Sequence, residues 1–346
     1  MSSYESLTKK YNGFDVPAFK IICGESELKQ SEFSFTEIAV DVGMGQTAGA
    51  ARFTLTNVYE RGSRQFAANA LKALVPGQKV SVALGYGSST SEVFSGYIDE
   101  LKTRFTGEEM ILTALCLDAR GLMRSGSAYM AVKDKKMQDV VTAIFDRYAA
   151  LVTEKDIKLE AWEKEVNITQ DGGDLAFVAE AAETRGLFFY IDKGTAVIGP
   201  AQDKICIEFD WEQFAMDFSI HYLDEKLTVY GYDAQEMAPY TAEVKPQQTA
   251  KQEKLLTVEH ALHLPHWYAA DTAKKHIEAL SKAKMGTALS GKIFCVGIPE
   301  AVIGQMVKIN KFPLTTLGIS NKLTITAVSH KLDKYSGFRT EIEVGG

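Results

Sequence analysis

Two stretches of this chain share one pattern. Val75-Pro76-Gly77-Gln78-Lys79-Val80-Ser81-Val82 and Val302-Ile303-Gly304-Gln305-Met306-Val307-Lys308-Ile309 both place a Gly-Gln pair at the head of an alternating run. Each is followed by an alternating strand, over residues 97–101 in the first copy and 323–328 in the second. A polar turn then leads to a last strand, over 110–117 and 338–344. Gly-Gln alone is a common dipeptide, whereas the order turn, strand, turn, strand implies two similar β-modules. Unrelated antiparallel meanders can be matched loosely in the same way, so the duplication is an expectation that strand order must test.

A chain of 346 residues is long enough for two or three domains, each with its own core. Hydrophobic content of 46% with 24% charged residues argues against wholesale disorder. The N-terminal residues 1–13 are polar, and no apolar run approaches the roughly 20 residues that span a bilayer. These features predict a protein made and assembled in the cytoplasm, with no membrane binding by the isolated chain. Cys23, Cys116, Cys206 and Cys295 are scattered through strand-like runs without close spacing, as expected for reduced core residues. A net charge of -7 and the lack of a basic cluster leave no footprint for sequence-specific nucleic-acid binding.

Strand patterns cover 18–23, 33–42 and 51–58. Between the last two lies Gly43-Met44-Gly45-Gln46-Thr47-Ala48-Gly49, superficially a phosphate-binding loop. Such a loop needs a helix after the glycines, and here a strand follows, so a flexible hairpin tip is expected. A short helix is predicted over 64–74. In the middle of the chain the apolar period becomes helical: Met137, Val140, Val141, Ile144, Tyr148 and Leu151 share a face, with Asp134 as the expected cap. A second helix is predicted over 174–185, then a hairpin from 187 to 198 turning at Asp192-Lys193-Gly194. Strand character returns over 204–209 and 214–232, an exposed loop is expected over 237–254, and a third helix over about 266–285. The resulting division is a polar arm over 1–15, a first β-module over 16–127, a small α/β insert over 128–200, and a second β-module over 201–346.

Order and spacing together resemble the tail hub proteins of contractile phages and related injection machines, the late control gene D family, similar to the N-terminal part of type VI secretion VgrG spikes. The resemblance rests on Ile168-Thr169-Gln170-Asp171 leading into the helix and Gly186, on Phe188-Phe189-Tyr190, and on Leu227-Thr228-Val229-Tyr230-Gly231-Tyr232-Asp233. It rests also on the Ala-rich helix before Gly286 and on Ile325-Thr326-Ala327-Val328-Ser329-His330 with a final strand after Gly337. It implies a mainly β fold: two tube-like antiparallel β-barrels related by duplication, plus a small α/β domain. Three chains would then form a pseudo-sixfold homotrimer joining a hexameric tail tube to a trimeric central spike, as a non-enzymatic part of a phage tail, bacteriocin or other injection particle without cofactors. Baseplate wedge and tape measure proteins are further partners that it admits. Since the sequence stops near the end of the second module, a separate spike polypeptide is expected. Candidate ring, lumen or tube contacts are Gly43, Met44, Gly45, Gln46, Gly77, Gln78, Gly304 and Gln305.

Two other classes fit parts of the sequence. His260, His263 and His266 have a spacing that could hold zinc in a tail-associated cell-wall hydrolase, but Glu259 is not in a zinc-protease arrangement and Pro265 interrupts the helix that would align the rings. A polar turn leading to the helix from His266 is the simpler expectation. Asp171 and Asp174 could serve acid–base chemistry, although capping the helix amides suits them better. A carbohydrate-binding module would use exposed aromatics such as Phe188, Phe189 and Tyr190, whose place in a strand beside a helix instead predicts core packing.

Overall fold

Alternation of apolar and polar residues builds most of this chain into strands. The computed structural model describes residues 2–29, 31–60, 62–66, 73–107, 109–159, 166–170, 172–221, 225–233, 237–244, 258–263, 274–275, 277–281 and 289–346. The first part holds β1 (Ser2–Ser3), α1 (Tyr4–Lys10), β2 (Pro17–Cys23), β3 (Ser26–Glu27), β4 (Ser34–Gly43) and β5 (Ala50–Thr56). After these come β6 (Tyr59–Glu60), β7 (Gln65–Phe66), β8 (Lys79–Tyr86), β9 (Ser89–Phe105) and β10 (Met110–Leu117). The middle holds α2 (Ala119–Ser125), β11 (Met130–Lys135), α3 (Met137–Asp146), β12 (Glu154–Ile157), β13 (Val166–Gln170), α4 (Asp174–Glu183), β14 (Phe188–Asp192) and β15 (Thr195–Gly199). Then follow β16 (Ile205–Asp210), β17 (Ala215–Ile220), β18 (Glu225–Asp233), β19 (Ala238–Val244), β20 (Val258–His263), β21 (Leu289–Val296), β22 (Met306–Asn310), β23 (Lys322–Asp333) and β24 (Gly337–Gly345).

The strand order answers the question of duplication. In the first module neighbours run β2-β8-β9-β10-β5-β4; in the second they run β16-β22-β23-β24-β21-β17. Numbering only these six strands within each module, both read first, fourth, fifth, sixth, third, second. One difference breaks the match: β2 runs antiparallel to β8, whereas β16 runs parallel to β22. The modules are joined edge to edge, because β4 pairs antiparallel with β23 from Glu37↔Asp333 to Gly43↔Ala327. Fourteen described strands thereby form one sheet.

Inward positions explain the register. Along β8, Val80, Val82 and Leu84 are buried, and along β24 so are Phe338, Thr340, Ile342 and Val344. This is the period-2 pattern of a strand with one face on a core. One apolar cluster spans both modules, with Ile21, Phe53 and Ile98 from the first and Ile207, Ile309 and Val328 from the second. α1 lies across the join: Leu7 and Tyr11 are buried in that cluster, the Tyr11 ring packs on Tyr86 at 5.2 Å, and the Tyr4 ring on Phe214 at 4.8 Å. The residues expected to form a polar arm therefore include a docked helix.

The insert has its own core. Val141, Ile144 and Phe145 of α3 meet Leu175, Val178 and Ala182 of α4 and Phe189, Ile191 and Ile198 of the β14–β15 hairpin. α3 begins at Met137 with Lys136 as its cap residue and no side-chain cap, and Asp134 belongs to β11 instead. A third cluster joins Leu227 and Val229 of β18 with Ala242 of β19 and Ile277. Residues 238–244 were expected as loop, but they form β19, paired along β18, because Tyr240, Ala242 and Val244 alternate with polar neighbours. The helix expected over 64–74 is also corrected at its start: Gln65–Phe66 pairs with Tyr59–Glu60, and the Phe66 and Tyr59 rings meet at 5.4 Å. Residues 67–72 of that expectation, 245–254 of the expected loop, and 266–273, 276 and 282–285 of the third helix lie outside the described residues.

Candidate interaction surface

The two Gly-Gln turns are built alike. Gln78 N–H donates to Val75 O at 3.0 Å and Gln305 N–H to Val302 O at 3.3 Å, with Gly77 and Gly304 at φ +86° and +82°. A left-handed third position of this kind favours glycine. Each turn then grips its following strand by the same two bonds. Gly77 N–H donates to Ile98 O (2.7 Å) and Ile98 N–H to Gln78 O (2.9 Å); Gly304 N–H donates to Ile325 O (2.9 Å) and Ile325 N–H to Gln305 O (2.8 Å). Next to those isoleucines both modules carry a β-bulge, which leaves out Asp99 in one pairing and Thr326 in the other. Ile98 and Ile325 are thus structural counterparts.

Their surroundings differ. Gly77 is exposed with open space over its Cα, and the Gln78 amide lies over Gly24. Gly304 and Gln305 are buried inside the chain, with the Tyr190 hydroxyl 2.2 Å from where a Gly304 Cβ would stand. The Tyr190 phenol is pushed up to about 12, chiefly by that burial.

The glycine stretch after β4 is a clamped junction rather than a flexible tip. Arg120 Nη1 donates to Gly43 O (2.8 Å) and Gly45 O (2.9 Å), while its Nε and Nη2 donate to Asp118 Oδ2 at 3.0 and 2.7 Å. Asp118 caps α2 through the Arg120 amide and accepts from Gly49 N–H at 2.8 Å. Met44 N–H reaches Thr326 O and Gly45 N–H reaches Phe189 O, so first module, second module and insert meet here. Both charged groups are buried, and a buried pair of this kind is costly to break one side at a time. Met44 is half-buried against the shared core, and of the four candidates here only Gln46 is exposed. Sequence reading missed Arg120 and Asp118; the available signal was an Asp directly before a short amphipathic helix.

His330, on β23 within the join, is fully buried, and its Nδ1 lies 2.8 Å from Thr340 Oγ1. Thr340 Oγ1 accepts from Ile298 N–H, so its own proton can go to Nδ1, which requires a neutral ring. Burial pushes the imidazole down to about 3, with Lys193 acting in the same direction.

The residues suggested for chemistry are placed otherwise. His260 and His263 sit on β20, in register with Leu227 and Tyr230 of β18, instead of in a turn leading to a helix; His266 lies outside the described residues. No cluster of three metal-binding side chains occurs among the described residues. Asp174 is buried at the first position of α4, where it accepts from Gln170 Nε2 (2.6 Å), Tyr148 Oη (2.7 Å) and Arg147 Nη1 (2.8 Å) rather than capping amides. With three donors on one carboxylate it serves as a packing node. Asp171 lies outside the described residues. Phe189 and Tyr190 are buried and Phe188 half-buried, which removes them as a sugar-stacking surface. Among the described residues no helix is long and apolar enough to cross a membrane.

No curated protein matches this chain. The fold is shared with solved structures at low identity. A tail protein from Neisseria meningitidis MC58 is 14% identical with a TM-score of 0.69, covering 96% of this chain and 97% of that one. The 43 kDa tail protein of prophage MuSo2 from Shewanella oneidensis is 15% identical with a TM-score of 0.67, covering 95% and 98%. An E. coli protein described as a component of the type VI secretion system, structurally similar to T4 bacteriophage tail proteins gp27 and gp5, is 12% identical with a TM-score of 0.51, covering 90% and 73%. A family model described as Alg8 N-terminal domain matches residues 14–333, a span that runs from just before β2 to the end of β23 and so takes in both modules and the insert; the chain belongs to that family.

Proposed function

We propose that this chain is a structural hub of a phage tail or a tail-like contractile particle, of the late control gene D kind and similar to the hub part of VgrG. Three copies form a ring of six like modules. A hexameric tail tube stacks on one side and a trimeric central spike on the other, with baseplate wedge or tape measure proteins around it. The chain assembles in the bacterial cytoplasm and becomes part of the particle, and its role is non-enzymatic.

The observation that carries this reading is the duplication: one strand order, one turn and one bulge, used twice in a single chain and joined edge to edge. Threefold material with two like modules per chain can match both a sixfold and a threefold neighbour. The tail proteins with the same fold support the same class of role. The exposed Gly77, its neighbour Gln78 and Gln46 remain the candidate contacts with neighbours, while Gly43, Met44 and Gly45 serve the join and Gly304 and Gln305 pack against β23 and Tyr190 inside each chain.

Light scattering and negative-stain microscopy of the full chain, alone and with the spike of its particle, test this. The expected result is three chains in a ring with a central hole and six similar lobes, each chain-to-chain contact burying roughly 2,000 Å² or more. Single chains under both conditions would overturn it.

A further inference from the structure

Among the described residues the join between the modules leaves two strand edges uncovered, and they complement each other. β4 is covered on both sides, by β5 and β23, but its counterpart β17 pairs with β21 alone among the described residues. The second half of β23 is covered by β24 and β4. Its counterpart, residues 100–104 of β9, pairs with β10 alone among the described residues, since β8 covers β9 only up to Tyr97. Uncovered edges present unpaired N–H and C=O groups and act as templates for another strand.

We propose that β17 of one chain pairs antiparallel with residues 100–104 of β9 in a second copy of this chain, in the register of the internal β4–β23 join. This seam rests on the ring reading above and names its contact.

The shared ladders fix the register. Pairing to the last strand makes Leu101 the counterpart of Val328 and Arg104 that of Lys331. Pairing to the third strand makes Ile220 the counterpart of Val42 and Asp217 that of Ala39. Inside the chain Val328 faces Val42 and Lys331 faces Ala39. Transposed to the new seam, Leu101 meets Ile220, Lys102 meets Ser219, Thr103 meets Phe218 and Arg104 meets Asp217.

Side-chain chemistry suits two of these pairs, one on each face. Val328 is fully buried by the internal join, while Leu101 is half-buried and Ile220 is 42% exposed, an apolar pair awaiting cover. On the opposite face Arg104 and Asp217 are both exposed, and neither makes an ion pair within the chain among the described residues. Opposite charges placed across a strand pair favour it. Each chain offers one edge of each kind, so the contact is head-to-tail and generates a closed ring when the rotation per chain allows.

Oxidation of the full-length K102C/S219C variant tests the seam. The expected product is a reductant-sensitive series of two and three linked chains that ends at three. The equivalent internal pair, D41C/S329C, links within one chain and leaves the mass unchanged. R104E weakens assembly roughly tenfold, and R104E/D217R restores it. If light scattering shows a trimer while K102C/S219C stays unlinked and R104E has no effect, the seam is wrong and the ring reading stands. If the chain stays single with or without spike, both fall.

Discussion

At the residue scale the structure assigns heavy duty to a few buried polar groups. His330 ties pH to stability. Its imidazole is held down to about 3 in the folded chain, against an ordinary value of 6.5, so the unfolded chain binds the extra proton between those limits. The His330 contribution is full above about pH 6.5 and is lost as pH falls toward 3, at a rate of up to about 1.4 kcal/mol per pH unit. Urea denaturation across that window should show the loss, and H330Q should flatten it; an unchanged slope would remove His330 from the account. Such groups were only partly legible. An Asp before a short amphipathic run is a capping signal at Asp118, but which carbonyls the Arg120 guanidinium holds depends on Gly43 and Gly45, far away in sequence and brought near by the fold.

At the element scale, sequence patterns were reliable where period and packing agreed. The Gly-Gln turns, the strands that follow them, α4 and the β14–β15 hairpin follow their apolar spacing, and α3 does so up to Asp146, with Tyr148 and Leu151 in the turn beyond its end. The pattern misled where a polar surround hid a short alternation, as in β19, which contains Pro239 and runs up to Pro246-Gln247-Gln248, and where a two-residue strand stood in a helix-like stretch, as in β7. The uncovered edges could not be read at all, because an edge is defined by which strand fails to arrive. The paired turns give a direct comparison. Gly77→Ala places a Cβ at positive φ in open space and should cost about 1–2 kcal/mol. Gly304→Ala has the same backbone problem and also meets the Tyr190 hydroxyl, adding about 1–3 kcal/mol. Urea midpoints of the two variants would separate these contributions, and equal losses would mean that the Tyr190 contact carries no weight.

At the scale of the whole molecule, two modules are held as one body by the β4–β23 pairing, by α1 across it, and by the Tyr86 hydroxyl bonded to Gly297 O at 3.0 Å. Lys10 and Tyr11 both donate to Glu300 Oε1 at 2.6 Å. Removing residues 2–11 strips Leu7 and Tyr11 from the shared core, and at about 1.5–3 kcal/mol for each large apolar side chain should lower stability by several kcal/mol. Differential scanning calorimetry should show a lower melting temperature, and one unchanged within about a degree would contradict the clamp. The same join also has a consequence in time. β23 is made about 280 residues after β4, and at about 5–20 residues per second the wait is roughly 15–60 s. Throughout that interval β4 is a finished strand with an unfilled side, and the β23 of a neighbouring chain that has not yet closed its own join is as good a fit as its own. Slow translation between the two, or crowding of many ribosomes on one message, should therefore favour chains that exchange this strand with a neighbour before either chain has closed its own join.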